Sequence, residues 1–293
     1  MFDLRYHVAS LAAVFLALII GILVGVGISS QTNVEGSERR VLEQRIEELN
    51  GRLETAEAET DLLRRRQSAA DRYILESYEA LMTGRLRGTQ IVLLFVGPAD
   101  SGLMDHVRQT ISDASGPGLV RMRALELPVD AREVSRALRP ELGNLALEEV
   151  GRRLGAELVR GGEIPIWDAL SRVIVEEEAG GDRLQADAVV VAHTGRADDV
   201  ATERLVSGLY AGLASSGVPA VGVERTAERQ SRISVYEQHG LSSVDCVDTD
   251  LGRVALAVLL AGGIEGQYGL KQSATDGPLP PVEALSLAPL PGG

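Results

Sequence analysis

The chain has 293 residues, with 42 acidic and 29 basic side chains, a net charge of −13 and a single cysteine. The acidic excess argues against nucleic acid or an anionic lipid surface as a partner of the soluble part. A lone Cys246 excludes an internal disulfide framework.

A short polar head, Met1-Phe2-Asp3-Leu4-Arg5-Tyr6-His7, runs into 21 uncharged residues, 8–28 (VASLAAVFLALIIGILVGVGI). A helix of that length spans about 31 Å, which matches the roughly 30 Å hydrocarbon core of a bilayer. A signal peptide usually has a shorter apolar core, and a helix buried in a soluble core is seldom apolar on every face. Residues 1–30 are therefore expected to be a cytoplasmic tail and a single transmembrane anchor. Basic residues flank the segment too evenly for the positive-inside rule to decide. A short tail before a large domain favours an extracytoplasmic C-terminal part. Gly21 and Gly25 form a GxxxG, which lets two membrane helices approach closely.

Residues 31–87 predict a coiled-coil stalk. Alternate steps of four and three from Leu42 reach Ile46, Leu49, Leu53, Ala56, Thr60, Leu63, Gln67, Ala70, Ile74, Ser77 and Leu81. The positions between are dense in Glu and Arg, which is the pattern of an apolar seam with charged outer faces. The alternative is a single amphipathic helix packed on its own domain. The narrow seam favours self-association, with a homodimer as the expected state. Twelve acids against ten bases make the stalk nearly neutral.

Residues 88–272 predict an α/β domain. TQIVLLFV (89–96), 119–127, AVVVA (188–192) and 220–223 read as strands, with a short strand at 231–235. Helices are expected at 103–114, 145–160, 166–179, 202–215 and 251–261. Apolar strands alternating with helices indicate a Rossmann-like, doubly wound and mostly parallel sheet. Residues 273–293 hold five prolines and three glycines and are expected to be a flexible tail.

Candidate chemistry is sparse. The turn Gly97-Pro98-Ala99-Asp100-Ser101-Gly102 matches neither GxGxxG nor a Walker loop. His193 lies at the carboxyl end of a strand, where open α/β sheets place ligands, with Asp198 and Asp199 following it. A general base is one reading; a loop histidine followed by helix-capping aspartates is the other, and the more ordinary. Cys246, His7, His106, His193, His239, Met82, Met104 and Met122 show no metal-ligand spacing. No catalytic set, cofactor site or metal site is assigned, and no enzyme activity is expected.

The opening FDLRYHVASLAAVFLALIIGILVG, the heptad stalk, the strand IVLLFVG and the late Gly266-Gln267-Tyr268-Gly269 before a Pro-rich end resemble the mycobacterial copper transport protein B (MctB) family. The resemblance implies an envelope protein of copper efflux or homeostasis, with copper as a transported or sensed ion. It also implies a link to envelope and division machinery. An outer-membrane pore is a closed β-barrel of many strands, whereas one uncharged helix anchors without lining a channel. The alternative function is a non-enzymatic scaffold whose α/β head binds an envelope or division partner.

Overall fold

The chain starts with two long helices, α1 (Leu4–Ile28) and α2 (Thr32–Met82). The structure is a computed structural model that describes residues 4–28, 32–179, 184–196 and 199–282. Two compact units are present, residues 1–70 and residues 71–293. In the first, every side chain from His7 to Gly27 is exposed, and this stretch is long and apolar enough to cross a membrane. α2 continues through Gly51 without a break, helped by exposed pairs such as Arg52–Glu48 (2.6 Å) and Arg45–Glu48 (3.3 Å). Each such pair contributes a few tenths of a kcal/mol, about 0.3–0.5.

The second unit contains a seven-stranded sheet: β1 (Ile91–Val96), β2 (Leu119–Leu125), β3 (Val175–Ala179), β4 (Ala188–His193), β5 (Ala220–Val223), β6 (Ser242–Val244) and β7 (Gln267–Tyr268). Their order across the sheet is β3-β2-β1-β4-β5-β6-β7. Six strands are parallel, and β3 runs antiparallel to β2. Because side chains alternate along a strand, β1 feeds two cores. Val92, Leu94 and Val96 face α4 (Ala131–Leu142), α5 (Leu147–Arg160), α6 (Pro165–Leu170), α7 (Val200–Ala214) and α8 (Ile233–Gln238). Ile91, Leu93 and Phe95 face α3 (Ser101–Asp113), α9 (Asp250–Leu260) and the end of α2.

That end of α2 is part of the head. Leu81 and Met82 pack into the second core, and the Tyr78 hydroxyl donates to Asp113 (2.6 Å) beneath the Arg253 guanidinium, 5.7 Å from the ring.

Three expectations need correction. The helix expected at 166–179 stops at Leu170, and Val175–Ala179 becomes β3. The β-branched run Val173-Ile174-Val175 and the open edge of β2 outweigh the helix preference of the three glutamates, and charged residues suit an edge strand. The strand expected at 231–235 is helix α8, because Ile233 and Tyr236 are buried together at helical spacing. α4, β6 and β7 have no counterpart among the expected elements. Residues 273–282 follow no regular element, yet the Gly277 carbonyl accepts from Gly269 (3.0 Å) and Leu279 packs on the core. Residues 283–293 lie outside the described residues.

α5 and α7 touch backbone to backbone. A Cβ on Gly208 would lie 2.0 Å from the Glu148 carbonyl oxygen, and one on Gly151 would lie 2.0 Å from that of Leu205. Gly155 and Gly212 repeat the fit one turn on. Gly208→Ala must push the two helices apart and should destabilise the head by about 3 kcal/mol. Gly51→Ala, in open space, should cost nothing. Urea unfolding followed by the fluorescence of Trp167 reads the difference.

Candidate functional site

Ligands of open α/β sheets bind at the carboxyl ends of the strands, where the strand order reverses. Here that point lies between β1 and β4, and it is occupied by the protein's own backbone. The Val96 carbonyl accepts from Thr194 (3.0 Å) and Gly195 (2.9 Å), and the Thr194 hydroxyl donates to the Pro98 carbonyl (2.6 Å). Gly97, at φ 115°, lies so close that a Cβ there would sit 2.1 Å from the Gly195 nitrogen. The N-terminus of α3 is filled as well, because Asp100 accepts from the Leu103 amide (2.8 Å). A phosphate would compete with this carboxylate and lacks the Thr194 and Gly195 amides.

Beside the closed crevice is a polar cleft of about 250 Å³ between the start of α3 and the ends of β4 and β5. Arg225 crosses it, bonding Asp100 (2.8 and 3.3 Å) and Glu228 (2.9 Å). Hydrogen bonding to Glu228 and the nearby Asp100 charge hold the guanidinium above its ordinary range. Behind it the buried Glu224 pairs with Lys271 (3.0 Å) and accepts from the Arg232 amide. Lys271 also donates to the Arg225 carbonyl (2.9 Å), and Asp245 accepts from the Leu270 and Lys271 amides (2.7 and 2.9 Å). The segment after Tyr268 thus forms the back of the cleft.

His193 lines this cleft. Its Nδ1 and the Tyr210 hydroxyl are 2.7 Å apart, and its amide donates to the Tyr236 hydroxyl (3.1 Å). Its Nε2 is buried, and among the described residues no group meets hydrogen-bond geometry with it. Burial, then the Arg232 charge, pushes the imidazole down to about 4, partly offset by the Gly195 carbonyl. The ring is therefore neutral at pH 7, and its orienting partner is a tyrosine. Asp199 caps α7, accepting from Ala201 and Thr202 (2.9 Å each), and its carboxylate also takes the Thr202 hydroxyl. Asp198 lies outside the described residues. The capping reading of Asp199 describes what the structure shows. Tyr210 and Tyr236, 17 and 43 residues away, had no local signal near His193.

The remaining candidates do not converge. Cys246 is buried and its thiol is pushed up to about 11, so it stays protonated. Met104 packs against the core, and burial lowers His239. Among the described residues, no three His, Cys, Asp or Glu side chains are grouped to hold a metal ion.

Along α2, Leu42, Ile46, Leu49, Leu53 and Leu63 are each more than half exposed. Ile74 is half-buried and Leu81 packs on the head's core. Gly21 and Gly25 face open space.

Comparison with known proteins spans most of the chain. The family described as "Copper transport outer membrane protein, MctB" matches residues 1–279. Proteins named "Copper transporter MctB" from Mycobacterium tuberculosis and Mycobacterium bovis are each 27% identical over 314 aligned positions. The alignment covers 94% of this chain and 98% of each relative.

The folded chain refuses a proton on His193 that the unfolded chain accepts below its ordinary value of 6.5. Stability is therefore unaffected above that pH and falls as pH drops from 6.5 towards 4, by up to about 3 kcal/mol. His193→Asn should flatten this part of the urea-stability profile; an unchanged slope contradicts the assignment.

Proposed function

Because the chain belongs to the MctB family of copper transport outer membrane proteins, we propose that it is a membrane-anchored envelope protein that works in copper efflux or homeostasis. The observation that carries this reading is the family match over residues 1–279, anchor, stalk and head together. Copper is cargo or signal in this account, not a resident ion of the head. The apolar helix anchors the chain, and the α/β head, a Rossmann-like domain with its crevice filled, lies outside the cytoplasm.

A scaffold role is the second reading. It is favoured by the closure of the β1–β4 crevice and by the ion-paired side chains Asp100, Arg225 and Glu228 at the cleft. Both offer a surface for an envelope or division protein more readily than a reacting centre.

Deletion of the chain tests the copper reading. Intracellular copper should rise and growth in copper should become poorer. Unchanged copper content and tolerance would contradict the proposal and favour the scaffold.

A further inference from the structure

We propose that residues 42–70 form a parallel, in-register, two-stranded coiled coil with a second copy of this chain. The pairing stands independently of the copper reading, because it rests on the stalk alone. Leu42, Ile46, Leu49, Leu53 and Leu63 expose 54–62% of their surface on one helix. Side chains of this kind are covered in a stable protein, and the repeat is sustained for four heptads.

The repeat assigns Ile46, Leu53, Thr60 and Gln67 to a, and Leu42, Leu49, Ala56, Leu63 and Ala70 to d. Ile at a with Leu at d favours two strands, and polar residues at a fix register. The seam ends where the head begins: the unit boundary falls after Ala70, and further on Leu81 is taken up by the head's own core.

Charge fixes direction and register. In a parallel in-register pair, each g side chain faces the e position five residues on in the other copy. Arg52 then meets Glu57 of the partner subunit, Glu59 meets Arg64 of the partner subunit, and Arg66 meets Asp71 of the partner subunit. Arg45 faces Asn50 of the partner subunit, so no pairing is like-charged. A slip of one heptad would instead set Arg52 against Arg64 of the partner subunit and Glu59 against Asp71 of the partner subunit. Repulsion thus excludes the slipped state. An antiparallel pair would put the two α1 helices at opposite ends of a seam about 42 Å long, so they could not enter one bilayer. In the parallel pair the two anchors adjoin, and Gly21 and Gly25, open on their outer surface, suit close approach.

Single cysteines in the full-length chain in native membranes test this. The native Cys246 is buried and leaves the readout clean. Under mild oxidation Leu49→Cys and Leu63→Cys should each form disulfide-linked dimers of identical chains, at least tenfold more than Arg65→Cys on the outer face. In detergent, Glu59→Arg or Arg64→Glu alone should weaken the dimer about tenfold by making like-charged pairs, and the double swap should restore it. Monomeric Leu49→Cys and Leu63→Cys, equal cross-linking at Arg65→Cys, or a double swap without rescue would each overturn the proposal.

Discussion

The head depends on the contact between the turns that leave β1 and β4. Gly97 and Gly195 meet there at a distance that leaves no space for a side chain, and the Val96 carbonyl holds two amides of the opposite turn. Backbone groups that could have received an anion are thereby spent on each other. The sheet keeps the order that places its reversal point at the centre, but the reversal point is filled. Chemistry is displaced sideways into the cleft at Arg225, where three carboxylates and two cations largely neutralise one another. The arrangement is polar, and its carboxylates and cations are engaged with one another.

Exposure divides the long helix into two parts with different tasks. Before Ala70 the apolar positions lie open, and after it Tyr78, Leu81 and Met82 are absorbed into the head. A single helix of uniform pattern thus serves two cores, one within the chain and, as proposed, one between chains. The α5–α7 glycines show the opposite solution inside the head, where side chains are removed so that backbones touch.

Much of this was readable from local pattern. β1, β4 and β5 are continuous apolar runs, and the helices α1 and α2 announce themselves by length and period. β6 and β7 were invisible because SSV and QY are short and polar, and α4 because Pro140 interrupts its pattern. β3 required knowledge of the free edge of β2. At the site, the place of His193 at a strand end was legible. Its partners Tyr210 and Tyr236 were not, since only the fold brings distant residues together. The family motif around Gln267 and Tyr268 became intelligible as a last strand whose following turn Asp245 fastens.

Membership of a copper-transport family and the proposed pairing of α2 meet in one experiment. The most direct measurement is intracellular copper in a deletion strain resupplied with either the native chain or a Leu49→Asp, Leu53→Asp variant. The account predicts that the native chain restores copper to its normal level and that the variant, expressed equally but unpaired, leaves it raised. Full restoration by an unpaired variant would contradict it.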